Sequence, residues 1–323
     1  MRAAVYHRYG PPSVVRVEQV PTPLPGPHEV RVRVRATTES SGDVRARSLK
    51  MPAGFGPFAR PVFGFFGPRK RILGTELAGV VDAVGSGVTR FREGDRVFAF
   101  PGFELGAHAE WRVLPEGGRV LPVPTGMSFE QAAALSFGGC TALHYLRDRA
   151  GLKAGERVLI IGALGAVGSA ATQLARSFGA RVTAVTSGGN REAALGLGAE
   201  RVIDYTQQSF VEPGVEYDVI FDTVGATSFS ACKAALSSSG RLLLSAADLY
   251  QWLGAGWATR GSQRRVLAGP SPERLEHLRT LRELAEAGQY RPLVDRVYPL
   301  ESIAEAHAYV DGGHKRGSVV ITV

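Results

Sequence analysis

The chain contains 323 residues, of which 44% are hydrophobic and 21% are charged, and its formal net charge is +8 at pH 7. This length allows two domains with separate cores. No stretch approaches the roughly 20 uninterrupted apolar residues of a membrane span, and the first residues contain no secretory h-region. The composition therefore predicts a water-soluble, cytoplasmic protein with no membrane partner.

Cysteine number and charge distribution argue against two further classes. Cys140 and Cys232 are the two cysteines of the chain, so neither a disulfide framework nor a four-thiolate zinc site can form. We expect both to be small core residues. The basic residues are scattered, and the longest cluster, PRKR at 68–71, is short. A nucleic-acid-binding role would rest on charge alone, and part of the excess charge could instead serve a polyanionic cofactor.

The first 120 residues are typical of a β-rich domain. The valines of EVRVRVRAT (residues 29–37) alternate with charged residues, which predicts a half-buried strand. The segments AGVVDAVG (78–85) and GDRVFAF (94–100) add short strands separated by glycine turns. Prolines are frequent over residues 11–27, which indicates an extended surface segment.

A segment rich in phenylalanine, glycine and proline interrupts these strands. GFGPFARPVFGFFGPRK (residues 54–70) contains four glycines and three prolines, so we predict no regular element there. One interpretation is a mobile aromatic wall over an apolar substrate, with Phe58, Phe63 and Phe65 as pocket residues. The alternative is a small hydrophobic cluster that pins a loop.

The stretch VLIIGALGAVGSAATQLARSFGARVTAV (residues 158–185) predicts a β-α-β unit around three spaced glycines. An apolar strand precedes the glycines, and an amphipathic helix and a second apolar strand follow. Glycines at this turn allow a tight bend, a close approach to a pyrophosphate and close helix packing, and a helix N-terminus favours anions. The predicted dinucleotide-binding turn comprises Gly162, Leu164, Gly165, Ala166, Val167 and Gly168. A purely structural glycine turn is the alternative.

Residues TSGGNRE (186–192) follow the second strand, where an NAD-preferring site usually has an acidic residue. Here Ser187 occupies that position, and a neutral hydroxyl does not repel a 2′-phosphate. Arg191 is close enough in sequence to pair with one. The sequence therefore favours NADPH over NADH, unless Arg191 is simply a solvated residue in the first turn of the next helix.

From residue 124 onward, strands and helices alternate, which predicts a doubly wound parallel sheet. The predicted strands lie at 158–161, 182–186, 201–204, 217–222 and 241–245, with RRVLAG at 264–269 as a sixth strand at the sheet edge. A second subunit could pair with that edge. The predicted fold class is α/β, with a β-rich domain (1–123 and 270–323) and a Rossmann domain (124–269).

These segments together resemble the zinc-free quinone oxidoreductase branch of the medium-chain dehydrogenase/reductase superfamily. The matching pieces span nearly the whole chain: EVRVRVRAT, SGDVRAR, LGTELAGVVDAVGSGVTRFREGDRVFAF, AAALSFGGCTALHYL, GERVLIIGALGAVGSAATQLA, LGAERVIDY, YDVIFDTVG and GSVVITV. The resemblance implies a GroES-like catalytic domain built from both chain ends around an inserted Rossmann domain. It also implies a cleft for the nicotinamide and a homodimer.

The resemblance assigns roles to individual residues. It implies that Thr141 lies against the nicotinamide and that Ser40 and Asp43 line the substrate side as catalytic residues. It further implies cofactor contacts from Tyr205, Val224 of the turn at 221–225, Ser245 and Ala246. Asp43 has the alternative role of a turn-capping carboxylate supported by Arg45. Relatives often have lysine at the position of Ser318; His314, Lys315 or Arg316 could replace that charge, or this could be a solvated basic turn.

The resemblance also indicates where zinc ligands would stand in zinc-bearing relatives. Those positions are Ser40, Thr75 and Phe137, with Cys140 three residues beyond the last of them. None is a good zinc ligand as placed, and the histidines are dispersed along the sequence without ligand spacing. We therefore expect no metal site.

Without a Lewis acid, alcohol oxidation loses its usual activation, whereas an electrophilic acceptor does not need one. The expected reaction is hydride transfer from NADPH to a quinone or other electron-poor conjugated carbonyl in an apolar cleft, with the proton supplied by water or a nearby hydroxyl. The alternatives are an enal or enone reductase, or a zinc-independent alcohol or aldehyde dehydrogenase. A non-catalytic NADPH-binding sensor or nucleic-acid-binding protein is the alternative of another class.

Overall fold

The computed structural model describes residues 1–323, apart from the side chain of Ala258. Fifteen strands form the sheets: β1 (Arg2–Val5), β2 (Arg16–Gln19), β3 (Glu29–Glu39), β4 (Leu77–Val84), β5 (Arg96–Ala99), β6 (Trp111–Pro115), β7 (Val120–Pro122), β8 (Arg157–Ile161), β9 (Arg181–Thr186), β10 (Arg201–Asp204), β11 (Tyr217–Asp222), β12 (Leu236–Leu244), β13 (Arg265–Ala268), β14 (Val294–Pro299) and β15 (Ser318–Thr322).

The α-helices are α1 (Ser41–Ser48), α2 (Gly56–Phe63), α3 (Phe129–Ala133), α4 (Ser136–Leu143), α5 (Ala166–Ser177), α6 (Arg191–Gly196), α7 (Phe229–Cys232), α8 (Leu249–Ala258), α9 (Leu275–Glu286) and α10 (Ile303–Asp311). Helix α4 continues directly into a π-helical turn at His144–Arg149. No helix of the described residues is long and apolar enough to cross a membrane.

The second half of the chain forms a six-stranded sheet in the order β10-β9-β8-β11-β12-β13. Every neighbouring pair in it is parallel. All six predicted strands are present, including the edge strand β13. The order reverses between β8 and β11, which is where a doubly wound sheet leaves a crevice for a ligand. The α/β class and the Rossmann sheet are confirmed.

The predicted GroES-like domain contains a seven-stranded sheet in the order β14-β15-β3-β4-β5-β7, with β6 paired to β3. Its long strand β3 buries Val30, Val32 and Val34, while Arg33 and Arg35 point to solvent. This alternation is the one that the valine pattern predicts. Strands β14 and β15 come from the far end of the chain, so distant segments build one sheet.

The two sheets are joined by a continuous apolar core. It runs from Phe98 of the seven-stranded sheet through Leu135 to Phe221 of the six-stranded sheet. The predicted domain limits at 124 and 269 stay a proposal. Helix α9, which that proposal assigns to the GroES-like domain, packs on α4, with Leu281 against Gly139.

The prediction that residues 54–70 contain no regular element is wrong, because Gly56–Phe63 forms helix α2. Pro57 lies in the first turn, where the missing N–H is not needed. Pro61 lies inside the helix but removes a single hydrogen bond from an element of two turns. Its apolar residues fall on one side and cover the cleft described below, so tertiary packing outweighs the low helix propensity.

Candidate active site

A cleft of about 470 Å³ lies between the two sheets. Its floor is formed by α4, by the first turn of α5, and by the ends of β11 and β12, and its roof is formed by α2 and α8. Floor residues include Phe137, Cys140, Thr141, Val167, Thr223, Leu244, Ser245 and Ala246, and roof residues include Phe55, Phe58, Ala59, Val62, Phe63 and Trp252. Most of these side chains are apolar, as in small-molecule sites in general.

The predicted glycine turn has the shape needed for a phosphate. Gly162 has a φ of +77°, a conformation that favours glycine. A Cβ on Gly168 would lie 2.1 Å from the carbonyl oxygen of Gly162, so the helix approaches the turn too closely for any side chain. Helix α5 starts at Ala166, and the N–H groups of its first turn have no partner within the helix. These free amides form an anion cradle.

The loop before β15 supports this turn from the other domain. The N–H of Gly317 donates to the carbonyl of Leu164 at 2.6 Å, and Gly317 also forms a parallel bridge with Gly165. The Lys315 ammonium donates to the Gly317 carbonyl at 2.6 Å, and burial lowers the pKa of Lys315 to about 8. The interpretation of a solvated basic turn is therefore wrong for Lys315, although His314 and Arg316 are exposed.

Asp222 shapes the second turn at the cleft floor. Its carboxylate accepts hydrogen bonds from the N–H groups of Val224 and Gly225 at 2.9 and 2.8 Å, and from Thr227 N–H at 2.8 Å. Burial raises the pKa of this carboxyl. The sequence pointed to this turn without identifying Asp222 as its organiser. Beside it, Ser245 and Ala246, both predicted cofactor contacts, line the cleft.

The structure brings the predicted ribose-end residues to one edge of the six-stranded sheet. Ser187 follows β9, and its Oγ accepts a hydrogen bond from Asn190 Nδ2 at 2.9 Å. Arg191 begins α6 and is exposed. Tyr205 follows β10 and donates its N–H to Thr186 at 3.2 Å, with its ring 58% exposed.

An acidic residue, Asp204, also lies at this edge, and no sequence motif predicts its proximity. A Cβ on Gly188 would lie 2.3 Å from Asp204 Oδ2. Hydrogen bonds from the Thr206 hydroxyl and N–H and from Gly188 N–H lower the pKa of Asp204. A carboxylate at this edge can accept from a ribose hydroxyl and repels a phosphate, so it opposes the effect of Arg191.

Ser40 and Asp43 form the N-terminal cap of α1 and do not line the cleft. Asp43 Oδ2 accepts from Ser40 N–H at 3.0 Å and from its hydroxyl at 2.6 Å, and Oδ1 accepts from Gly74 N–H at 2.8 Å. Both side chains are buried. This is a capping box, which matches the alternative given for Asp43. Arg45 takes no part in it and lines the cleft instead.

Thr141 lies in the cleft floor as expected. Its hydroxyl donates to the carbonyl of Phe137 at 2.9 Å, one turn earlier in the same helix. This bond uses the hydroxyl proton and leaves the oxygen lone pairs available to the cleft. Thr141 is therefore placed to accept a hydrogen bond from a bound group.

Glu76 fixes the position of α4, a role that the sequence did not predict. Its carboxylate accepts from the Thr38 hydroxyl at 2.5 Å, and from the N–H groups of Ser136 and Phe137 at 3.0 and 2.6 Å. Burial raises its pKa to about 7. The side chain thus ties the seven-stranded sheet to the helix that carries Thr141.

The aromatic wall is only partly the one predicted. Phe58 and Phe63 line the cleft, but Phe65 does not. Phe65 lies beyond the end of α2 in a shallow surface groove with His7 and Phe66, because the chain reverses at Gly64, which has a φ of +132°. The roof gains Phe55, whose ring stacks on Trp252 with centroids 5.9 Å apart.

Comparisons with known proteins agree with this architecture. Residues 26–125 match the alcohol dehydrogenase GroES-like domain, and residues 197–321 match the zinc-binding dehydrogenase family. A quinone oxidoreductase of Pseudomonas aeruginosa is 32% identical over 97% of this chain and 97% of its own length. The chain belongs to the quinone oxidoreductase-like group of the medium-chain dehydrogenase/reductase superfamily.

Two solved structures are similar to this quinone oxidoreductase-like chain along its whole length. The quinone oxidoreductase of Coxiella burnetii has a TM-score of 0.85 at 26% identity, covering 100% of this chain and 99% of its own. An NAD-dependent alcohol dehydrogenase has a TM-score of 0.85 at 30% identity, covering 100% of both chains. Family and fold together make the chain an oxidoreductase that uses a nicotinamide cofactor.

The zinc of zinc-binding dehydrogenases does not fit the residues of this quinone oxidoreductase-like chain. The Ser40 hydroxyl is bonded to Asp43, Phe137 offers no ligand atom, and Thr75 is a neutral alcohol. Burial raises the pKa of the Cys140 thiol well above its usual value, which disfavours the thiolate that a metal needs. These positions therefore lack the donor set of a zinc site.

The histidines are dispersed in sequence, but several of them meet acidic residues in the fold, and the expectation of no metal site stays a prediction. Glu39, His108 and His307 converge in the core of the GroES-like domain, and His144 and Asp148 of the π-helical turn converge with His277 of α9. Ligand spacing along a chain does not reveal residues from distant segments that meet in the fold. Neither group lines the cleft.

Proposed function

We propose that this chain is a zinc-independent, NADPH-dependent oxidoreductase acting on a quinone or another electron-poor conjugated carbonyl. The observation that carries the proposal is the apolar cleft beside the glycine turn. When bound, NADPH would supply a hydride to an acceptor lying in that cleft. The chain itself binds and orients the two molecules and excludes water.

We expect the cofactor to extend from the edge of the six-stranded sheet to the cleft floor. The N–H groups of Leu164, Ala166 and Val167 would hold the pyrophosphate, with Gly162, Gly165 and Gly168 giving the tight turn and the close approach; the Gly165 N–H already donates to the Gly162 carbonyl at 3.0 Å. The Lys315 ammonium lies on Gly317, which contacts this turn, and would add a positive charge. Ser187, Arg191 and Tyr205 would receive the ribose 2′-phosphate and adenine. Thr141, Val224, Ser245 and Ala246 would hold the nicotinamide end.

The acceptor would lie between this floor and the aromatic roof. Phe55, Phe58, Phe63 and Trp252 offer flat apolar surfaces to a conjugated ring or chain. Zinc independence follows from the missing donor set, and an electron-poor acceptor needs no metal for polarisation. Ser40 and Asp43 would act by positioning α1, and the proton would come from water or a hydroxyl.

The first experiment is a titration of metal-free protein with NADPH and with NADH, with zinc content checked by elemental analysis. We expect tighter NADPH binding, and we expect Ser187→Asp and Arg191→Ala each to lower NADPH affinity by roughly 10- to 100-fold, as for lost hydrogen bonds to a charged group. Asp204→Asn is the matched variant and should strengthen NADPH binding. Equal affinity for both cofactors in all four proteins would overturn the NADPH assignment.

The acceptor is tested next, by comparing turnover of a benzoquinone, an alkenal and an alcohol. Preference for the alkenal would identify an enal or enone reductase, and turnover of the alcohol without metal would identify a zinc-independent alcohol or aldehyde dehydrogenase. Turnover restored only by added zinc would contradict zinc independence.

A homodimer in the cytoplasm is part of the same proposal. Strand β13 is one of the two edges of the six-stranded sheet, and α8 packs beside it with Tyr250, Leu253 and Trp257 more than two-thirds exposed. Such an edge and its apolar neighbour favour pairing with a second copy. Light scattering of the purified protein gives the mass directly.

A further inference from the structure

An apolar surface that no other described part of the chain covers lies at the mouth of the cleft. Phe58, Val62, Phe65 and Phe66 are 56, 60, 56 and 107% exposed. They lie at the exposed rim of α2 and in the turn after it, and together they form the aromatic lip. Large apolar side chains grouped in this way on a water-soluble protein usually mark an interaction site.

Basic residues flank the aromatic lip: Arg69 and Arg71 line a surface groove with Phe65 and Phe66, and Arg60 donates to the Phe65 carbonyl. Between Asp43 and Glu76 the sequence contains seven basic residues and no acidic one. Five of the basic residues are exposed: Lys50, Arg60, Arg69, Lys70 and Arg71. None of the five forms an ion pair with a described residue; the acidic neighbour of this surface, Glu18, is engaged by His7 at 3.0 Å.

The outward position of Phe65 and Phe66 is fixed by the backbone. Arg60 donates to the carbonyl of Phe65 at 2.6 Å, and the N–H of Arg69 donates to the carbonyl of Phe63 at 2.9 Å. The Tyr9 hydroxyl donates to Gly64 at 2.9 Å. At Gly64 a Cβ would lie 2.0 Å from the carbonyl of Gly67. The turn is thus built around a glycine, and it presents both rings to solvent.

The aromatic lip is continuous with the mouth of the cleft. Phe58 and Val62 are exposed and also line the cleft, while Ala59 and Phe63 face its interior. Phe103, which is 72% exposed, lines the mouth on another side. A surface that receives the lip therefore also receives the opening of the cleft.

We propose that the aromatic lip and its basic surround dock this protein on an anionic lipid surface, with the cleft mouth facing the lipid. Apolar rings would enter the interfacial region while lysines and arginines pair with headgroup phosphates, the combination found in proteins that lie on membranes. The prediction of no membrane partner rested on the absence of a spanning segment, which peripheral docking does not require. Docking in this position would let a quinone or enone dissolved in the lipid enter the cleft directly. That route rests on the proposed function, whereas the docking itself does not.

Charge favours an anionic lipid surface over a second copy of the chain as the partner of the aromatic lip. Two copies joined lip to lip would bring their exposed cations together with no acidic residue of the segment 44–75 to offset them. Anionic headgroups are complementary to the same arrangement. The lip also includes the aliphatic side chain of Val62 beside its phenylalanines. Burial of such a side chain suits a lipid surface more than a polynucleotide, whose binding surfaces rely on rings that stack on bases.

The test is sedimentation of the full chain with vesicles of phosphatidylcholine alone or with phosphatidylglycerol added. We expect binding to the anionic vesicles that weakens with salt. R69E/K70E/R71E should reduce it by at least about 100-fold, and Phe66→Ser should reduce it by roughly 10-fold. The matched controls R16E/R35E/R176E and Leu24→Ser change equally exposed residues elsewhere and should bind as the wild type does.

Circular dichroism and NADPH titration of each variant separate docking from folding and from the proposed function. No binding to anionic vesicles, or equal loss in the control variants, overturns the proposal. A shift from dimer to monomer in Phe66→Ser without a change in vesicle binding would assign the lip to a second copy, and tighter binding of a single-stranded oligonucleotide would assign it to nucleic acid. Intact docking without NADPH binding would overturn only the proposed function.

Discussion

Phe137 donates its backbone N–H to the carboxylate of Glu76 at 2.6 Å, across the boundary between the two sheets. The same carboxylate receives Ser136 N–H and the Thr38 hydroxyl. We expect Glu76→Ala to leave these three donors buried without partners and to lower the free energy of unfolding by on the order of 3 kcal/mol. Denaturant unfolding followed by fluorescence measures this. Glu76→Gln, which keeps one acceptor oxygen, should lose less; equal losses would contradict the anchoring role.

Glu76 also makes stability depend on pH. Burial raises its pKa from 4.5 to about 7, so the folded state holds the proton more tightly than the unfolded state. Its contribution is therefore complete below about pH 4.5 and is lost as pH rises to about 7, by up to about 3 kcal/mol. The difference in unfolding free energy between wild type and Glu76→Gln should shift against the wild type across this range. A difference independent of pH would refute the raised pKa.

The buried pair of Glu39 and His307 is expected to be uncharged and to bind no metal. Glu39 Oε1 lies 2.6 Å from His307 Nδ1, with both side chains fully buried, but the two atoms do not form a hydrogen bond. Burial raises the pKa of Glu39 well above its usual value and lowers that of His307 to about 4, so both groups are expected to be neutral. We expect Glu39→Gln, which is uncharged and of nearly the same shape, to change stability by less than about 1 kcal/mol.

The effect of added zinc on the melting temperature tests whether this pair binds a metal. A metal held by Glu39, His108 and His307 would raise the melting temperature of the wild type on addition of zinc and would be lost in Glu39→Gln. We expect the melting temperatures of both proteins to be unaffected by zinc. Thermal unfolding of metal-stripped protein, with and without zinc, decides between the two.

Gly168→Ala should abolish cofactor binding. The new Cβ would lie 2.1 Å from the Gly162 carbonyl, so α5 must move away from the turn that it supports. Nothing lies within 4 Å of a Cβ on Gly196 in α6, so Gly196→Ala is the control and should be neutral or stabilising by up to about 1 kcal/mol. Calorimetric titration with NADPH compares them. Unchanged affinity in Gly168→Ala would show that the turn is not the cofactor site.

Asp43→Asn should affect stability more than chemistry. The carboxylate accepts three hydrogen bonds from Ser40 and Gly74, and an amide group in its place turns one acceptor into a donor. We expect a loss of about 1–2 kcal/mol in unfolding free energy and a pH profile of turnover with unchanged shape. Turnover of a quinone across pH measures this. Loss of one limb of the profile would instead assign proton transfer to Asp43.

The strands and the glycine turn could be predicted because their signals are local. Each apolar run of the six-stranded sheet is bounded by glycine or polar residues, and the turn from Gly162 to Gly168 needs its glycines for steric reasons that the sequence displays. Helix α2 was missed although Phe55, Phe58, Ala59, Val62 and Phe63 follow a helical spacing. The glycines and prolines of this segment argue against a helix. The packing that stabilises the helix comes from a cleft that is assembled from distant segments.

The polar contacts around the site were the least predictable part. Glu76 reaches residues 60 positions away, and the Glu39 pair depends on a histidine from α10. Asp204 approaches Gly188 because β9 and β10 are neighbours in the sheet. No sequence motif indicates that strand order. Side chains that cap or tie elements act over the tertiary structure, so their partners become visible only in the fold.

The bond between Gly317 and Leu164 has a consequence for synthesis of the chain. A nascent chain that has emerged as far as α9 already contains every strand of the six-stranded sheet. It lacks the segment that braces the glycine turn, as well as strand β15, which completes the other sheet. The brace on the glycine turn therefore forms only once residues 317–322 have joined the fold, and we expect a chain cut before Gly317 to hold that turn less firmly.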